Sequence, residues 1–385
     1  MQVADDDDNV LLHTLEYGDS QSPVVLLLHG FPDLSLSWQY HAQRLAEEGY
    51  FVVTPDMRGF GSSSIPPNNN KKGELEAYSR ESLVSDVDAL RKHYCGEGGS
   101  FAMLVGHDWG GVVVWATLEA FGRASTSDDG PKTPIAKSVV LVNAPHPGVF
   151  AEYIYTRKQA VKSWYIFCFQ LYWFPEFFLH RTQSLYYSSH KVEYQHLVKS
   201  LGLSIPNGEA TCSTETNDDE STCSAAIDAM PIDVEQNLAI FKEALTDRDR
   251  IHAMLSYYRA MAAGFWSDPR DDDTSELSLV NRVIRWLHNT NNGNEGSSEE
   301  SSTSRVSEQP NGSTLSSISI PTMILWGKGD KYLDVELASA PNGLVENHQG
   351  TKFFDAGHWV HWEKPLETAE ELIKFANTHN KEIKE

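Results

Sequence analysis

Short apolar runs bounded by polar turns recur along the first third of the chain: Val24–Leu28, Phe51–Thr54, Phe101–Val105 and Ser138–Val142. They lack the in-and-out alternation of a half-solvated strand, so they predict strands buried on both faces, as in a parallel sheet. Two more, Met323–Trp326 and Thr351–Phe354, come only near the C-terminal end, and Leu11–Tyr17 predicts an edge strand. Between Val142 and Pro321 the pattern changes to aromatic-rich segments with helical spacing. Alternating strands and helices predict a doubly wound, mostly parallel sheet flanked by helices. The interruption predicts a helical cap inserted over residues 148–318, on a core made of residues 1–147 and 319–385.

Two stretches of the insertion lose all periodicity. Residues 207–225 are rich in Thr, Ser, Glu and Asp, and residues 289–317 in Asn, Gly, Ser and Glu. Neither carries enough apolar side chain to offset its ordering entropy, so both are expected to be disordered surface loops. Leu277–Leu287, between them, has the apolar spacing of a helix. Charge follows the same division. The net charge is −23, and residues 1–20, 207–230 and 267–318 together account for 17 of it. Acidity therefore belongs to an end and to the insertions, and it argues against nucleic acid, whose phosphates it would repel.

At 385 residues with 40% apolar and 11% aromatic content, the chain has material for a sizeable core plus an inserted domain. No basic-then-apolar leader opens the sequence, and no apolar run approaches the roughly 18 residues that span a bilayer. Four cysteines in this length do not make a disulfide framework. Cys95 and Cys168, in apolar surroundings, are expected to be reduced. Cys212 and Cys223 share one polar loop and are also expected as free thiols. These features predict a soluble, cytoplasmic protein without a membrane span; oligomeric state is left open.

The most informative five residues are Gly106-His107-Asp108-Trp109-Gly110. They stand between an apolar run ending at Val105 and another starting at Val112, which reads as strand, sharp turn, helix. Small residues on either side allow a turn tight enough to lift the central side chain above the sheet. A carboxylate placed there is ionised at neutral pH and needs no base to activate it as a nucleophile. Its ester can then be hydrolysed, which suits displacement at a saturated carbon.

Three motifs are expected to converge on Asp108. His29-Gly30-Phe31-Pro32-Asp33 follows the run Val24–Leu28, so the backbone N–H of Phe31, with that of Trp109, is placed to form an oxyanion hole. Asp330, in Trp326-Gly327-Lys328-Gly329-Asp330, stands at the end of a predicted strand, where open sheets carry functional groups. His358, in Ala356-Gly357-His358-Trp359, follows the last strand and is the candidate base, with Asp330 to orient it. His361 is its nearest rival. No His/Cys cluster has metal-ligand spacing and no dinucleotide fingerprint occurs, so neither a metal nor an organic cofactor is expected.

With these motifs in that order, the chain resembles the epoxide hydrolase family of the α/β-hydrolases, the branch with an aspartate nucleophile. Asp56-Met57-Arg58-Gly59-Phe60-Gly61-Ser62 and Asn143-Ala144-Pro145-His146-Pro147 add to the likeness. The resemblance implies an α/β-hydrolase fold, a small-molecule epoxide as substrate and a vicinal diol as product. It also implies two cap tyrosines that hold the epoxide oxygen. Tyr165, in Tyr165-Ile166-Phe167-Cys168-Phe169-Gln170, and Tyr258, in Ser256-Tyr257-Tyr258-Arg259-Ala260, stand at the matching places. Tyr172 and Tyr257 are the alternatives within the same segments, since this aromatic-rich region also reads as core.

Two other readings compete. A haloalkane dehalogenase uses the same nucleophile and binds the halide with groups such as the indole N–H of Trp109. Some of those enzymes carry Asn where this chain has Phe31, and fluoroacetate-type enzymes carry Arg where it has Trp109; both departures favour an epoxide. A non-catalytic ligand-binding protein on the same scaffold is the third reading, disfavoured by the complete nucleophile, acid and base.

Overall fold

In the computed structural model, the described residues are 10–67, 71–121, 133–181, 239–266, 318–339 and 344–380, apart from 155, 242, 245 and 265. Only the backbones of residues 2–3, 203–204 and 211–212 are described elsewhere. Seven strands form one sheet: β1 (Thr14–Tyr17), β2 (Val24–Leu28), β3 (Phe51–Pro55), β4 (Met103–His107), β5 (Val139–Val142), β6 (Thr322–Gly327) and β7 (His348–Phe354). Their spatial order is β7-β6-β5-β4-β2-β3-β1. Every neighbouring pair is parallel except β1 with β3, which is antiparallel.

Every residue of β2, β3, β4, β5 and β6 is buried, which is why the sequence shows them as unbroken apolar runs. Side chains alternate between two cores, one on each face. Leu26, Leu28, Val53, Leu104 and Leu141 enter one, and Val25, Leu27, Val52, Val105 and Val140 the other. The first core continues into the cap, through Ile166, Phe169, Phe241, Ile251 and Tyr258.

Around the sheet lie α1 (Gln39–Glu47), α2 (Lys71–Glu76), α3 (Arg80–Cys95) and α4 (Trp109–Phe121). Between β5 and β6 come the cap helices α5 (Pro147–Tyr153), α6 (Arg157–Lys162), α7 (Trp164–Phe169) and α8 (Arg248–Ala262), with residues 174–181 also helical. Then α9 (Val360–Glu363) and α10 (Pro365–His379) close the chain. Capping fits the sequence: Thr156 accepts from Gln159 N, and Asp247 from Asp249 N, satisfying donors that have no partner inside the helix.

The strand expected at Phe101–Val105 instead runs Met103–His107. Gly106 and His107 are not apolar, yet they pair with Leu141 and Val142 on β5 and extend the strand to the sheet's edge. Phe101 makes only an isolated bridge, to Ala136. Most of the two polar stretches and all of the expected helix Leu277–Leu287 lie outside the described residues, as does Cys223. The stretch 207–225 contributes one described feature, a two-residue antiparallel pairing of Leu203–Ser204 with Thr211–Cys212. Cys95 and Cys168 are free thiols. No helix among the described residues is long and apolar enough to cross a membrane.

Candidate active site

Asp108 occupies the turn between β4 and α4 with φ +49°, a left-handed conformation unusual outside glycine. The strain is held on both sides. Its N–H donates to Val142 O at 3.2 Å, and its carbonyl accepts from Val112 N at 3.0 Å. Close packing explains the flanking glycines: a Cβ on Gly106 would lie 2.5 Å from Gly110 O, and one on Gly110 would lie 2.5 Å from His29 O. The turn therefore lifts one carboxylate out of the ends of the parallel strands.

Two groups reach that carboxylate, and the Trp109 amide follows it in the chain. Phe31 N donates to Asp108 Oδ1 at 2.8 Å from the loop after β2. Gly30 permits the approach, since a Cβ there would fall 2.4 Å from Asp108 Cβ. Trp109 opens α4, so its amide belongs to the helix's first turn, whose N–H groups lack intrahelical acceptors. On the other side His358 Nε2 stands 3.5 Å from Asp108 Oδ2.

His358 Nδ1 meets Asp330 Oδ2 at 2.7 Å. Asp330 is almost fully buried and held from several directions. Its Oδ1 accepts from the amides of Tyr332 (2.8 Å) and Leu333 (2.9 Å), and its Oδ2 also accepts from Asn143 Nδ2 (2.6 Å). Burial alone would raise the Asp330 pKa, but His358 and these amides lower it instead. Burial alone would likewise make His358 harder to charge. The carboxylates of Asp330 and Asp108 outweigh it and raise the imidazole to about 10.

The cap supplies the roof. Tyr258 packs edge-on against Phe31 (5.5 Å between ring centroids), Trp109 (5.0 Å) and Phe169 (5.1 Å). Tyr165 lies 6.1 Å from Tyr258 and 5.7 Å from Tyr332, whose ring is 5.3 Å from His358. Burial, reinforced by the charge of Asp108, pushes the Tyr165 phenol well above its ordinary range, so it remains a proton donor. The two segments are stapled together. Arg259 Nε donates to Phe169 O at 3.0 Å, its NH2 to Leu171 O at 2.9 Å, and Gln170 Nε2 to Tyr258 O at 3.3 Å.

The alternatives lie elsewhere. Tyr257 is buried in the core and donates to Arg58 O at 2.9 Å. Tyr172 is exposed beneath the guanidinium of Arg259, whose Cζ is 4.5 Å from its ring centroid. His361 Nε2 faces Asp33, at 3.7 Å, and not the acid at 330. The sequence reading assigned no role to Asn143, which stands at φ +43°, bonds Asp330 and accepts from Gly327 N at 3.2 Å. Its sequence signals were its place at the C-terminal end of a buried strand and its membership of the stretch Asn143–Pro147 that adds to the likeness. Lys162 was also missed; its Nζ donates to Asp330 O (2.7 Å) and Leu333 O (3.1 Å), tying the cap to the loop that carries the acid.

Such a fold, with a carboxylate at a strand–turn–helix tip and an acid and histidine on later strand ends, defines a class. The chain belongs to the α/β-hydrolase-fold family, whose model matches residues 23–365. Its named relatives include epoxide hydrolases. It is 25% identical over 361 residues to "Epoxide hydrolase 4" of Homo sapiens, covering 93% of this chain and 74% of that protein. It is 43% identical over 110 residues to "Epoxide hydrolase A" of Mycobacterium tuberculosis, covering 29% and 31%. Among solved structures, potato (Solanum tuberosum) epoxide hydrolase I matches with a TM-score of 0.57 at 20% identity over 96% of both chains. A Bacillus megaterium epoxide hydrolase in complex with an inhibitor matches with a TM-score of 0.57 at 21% identity, over 96% and 98%. At these identities the structural likeness establishes the fold.

Proposed function

We propose that the protein hydrolyses a lipophilic epoxide to a vicinal diol through a covalent ester on Asp108. The observation that carries this reading is a carboxylate at the strand–turn–helix tip with an imidazole–carboxylate pair behind it, under a cap in which the rings of Tyr165 and Tyr258 lie 6.1 Å apart. Asp108 attacks one epoxide carbon, the C–O bond breaks, and Tyr165 and Tyr258 donate hydrogen bonds to the oxygen that departs as an alkoxide and takes up a proton. Without such donors an alkoxide is a poor leaving group. Esterification removes the charge of Asp108, one of the two anions that hold the proton on His358. The imidazolium then gives up its proton, which balances the one taken up by the alkoxide oxygen, and the neutral imidazole takes a proton from water as that water's oxygen attacks the ester carbonyl carbon. The N–H groups of Phe31 and Trp109 stabilise the tetrahedral oxyanion, and the diol leaves as Asp108 is regenerated.

Single turnover in oxygen-18 water with enzyme in excess tests the route. The first diol should carry unlabelled oxygen from Asp108; label in that product sinks the covalent mechanism. A His358→Gln variant should accumulate the ester, detectable as a mass increase equal to the epoxide. Halide release from a chloroalkane with no diol from any of a panel of aryl, terpene and fatty epoxides would instead establish the dehalogenase reading. In the structure Phe31 brings to the carboxylate an apolar ring and a backbone N–H, with no side-chain donor for a halide.

A further inference from the structure

The cap carries much of its apolar surface on the outside. On α7, Ile166 and Phe169 are buried toward the site, while Trp164, 62% exposed, and Phe167 face solvent. Leu171 and Trp173 continue outward beyond the end of that helix. Trp173 stands at φ +65°, a conformation rare for so bulky a residue, and holds its indole 76% exposed. The helix of residues 174–181 is patterned inside out. Its one acid, Glu176, is buried, paired with Arg259 at 2.8 Å and with His252 at 2.7 Å. His180 Nδ1 meets Thr246 O at 3.1 Å. Phe174 and Phe177 are exposed instead, and Phe178 stacks on Phe174 with 6.3 Å between ring centroids.

Water does not favour that arrangement. A helix at a protein surface keeps its apolar stripe for the core and its charges for solvent. A run of exposed apolar side chains marks a place where an apolar partner lands. The composition says which one, because indole and phenyl rings suit the boundary between hydrocarbon and polar headgroups. Charge points the same way. The chain has a net charge of −23, yet residues 157–181 hold four Lys and Arg and a single acid. Lys158 and Lys162 are engaged by Asp334, and Glu176 is turned inward. Arg157 and Arg181 are exposed at the two ends, with no outward acid along the stretch between them. Such a surface complements one that carries phosphates.

We propose that the outer face of the cap, over α7 and residues 171–181, docks on the surface of a phosphate-bearing lipid bilayer. The aromatic side chains would enter the headgroup boundary, as on a helix that lies in the interface without spanning it. Tyr165 and Trp164 are neighbours on α7, so the docked face would be the far side of the roof over Asp108. A bilayer is also where a lipophilic epoxide concentrates. That link rests on the epoxide reading, and the docking does not.

The test therefore uses no epoxide. The full-length protein is mixed with phosphatidylcholine vesicles containing about one-fifth phosphatidylserine, at about 1 mM lipid, and floated through a density gradient. The parent should rise with the vesicles. Trp173→Ser combined with Phe177→Ser should weaken binding by roughly tenfold or more, the value of burying one large apolar side chain. Both side chains are exposed, so the Tm of this variant should match the parent's. Phe353→Ser, which removes an exposed ring from β7, should leave binding unchanged. A parent that stays at the bottom of the gradient would overturn the proposal, as would full binding by the double variant. A parent that does not float but sediments as a dimer, which the double variant breaks, would also overturn it and assign the face to a second copy of the chain.

Discussion

Replacing Tyr258 by Phe removes one hydroxyl and keeps the ring that Phe31, Trp109 and Phe169 grip. The scaffold should therefore survive, and the loss should fall on the step in which the alkoxide forms. One preorganised donor to a developing oxyanion contributes about 2.7–4 kcal/mol, or roughly 10²–10³ in rate. Tyr165→Phe should cost a similar amount, and the double variant should lose nearly all alkylation. In the proposed mechanism ester hydrolysis uses His358 and the backbone donors, so its rate should change by less than about threefold. The indole of Trp109, next in the chain to Asp108, packs edge-on against Tyr258, so rapid mixing monitored by tryptophan fluorescence should resolve the two phases. Tyr257→Phe is the control: it loses a buried hydrogen bond to Arg58 O, costs about 0.5–1.5 kcal/mol of stability, and should leave alkylation intact. Equal losses in both phases for Tyr258→Phe, or a Tyr257→Phe variant as slow in alkylation, would refute the assignment.

Gly30→Ala should abolish ester formation, because its Cβ would lie 2.6 Å from Asp108 Oδ1 and must displace the carboxylate; mass spectrometry showing normal esterification would refute this. Asn143→Ala should destabilise the fold in equilibrium urea unfolding. It removes a hydrogen bond to a buried carboxylate, about 1.5–3 kcal/mol, and puts alanine in a left-handed conformation, roughly 1–2 kcal/mol more; a total below about 1 kcal/mol would contradict the structure. His252 bridges Glu74 on α2 and Glu176 in the cap, and its hydrogen bond to Glu176, with the Glu74 contact, raises its pKa against desolvation. A raised folded pKa contributes stability that is complete below about 6.5 and is lost as pH rises through the folded value. The Tm of the parent should therefore fall more steeply above pH 6.5 than that of His252→Gln, and parallel curves would dismiss the bridge as a stabilising contact.

What the sequence made legible follows from where its physics is local. Strands buried on both faces must be apolar throughout, so β2, β3, β5 and β6 were readable within a residue or two. β4 was placed two residues early because Gly106 and His107 owe their strand conformation to pairing with β5, which no single segment displays. Asp108, Asp330 and His358 were visible because each follows such a run and stands next to a glycine or near one. The bond between Asn143 and Asp330 gave no sign, since the two lie far apart in the chain. Tyr257 and Tyr258 are adjacent on α8 and equally aromatic. Only the packing of that helix turns the first toward Arg58 and the second toward Phe31.

The division of donors between core and cap has a consequence for how the site is kept in register. The core donors are backbone groups of tight turns, fixed relative to Asp108 by the sheet itself. The phenols stand on α7 and α8, which belong to the insertion between β5 and β6. Their spacing instead depends on Arg259, whose guanidinium takes two carbonyls at the end of α7 and pairs with Glu176 at 2.8 Å. Lys162 and Gln159 then fasten the cap to the loop after Asp330, Gln159 by donating to Tyr332 O and accepting from Asp334 N. The roof is thus referenced to the acid that orients His358, so a shift of the cap would move both phenols and the support of the base together. For the proposed reaction, which needs alkoxide donors first and a correctly aimed imidazole second, one mechanical reference would serve both steps.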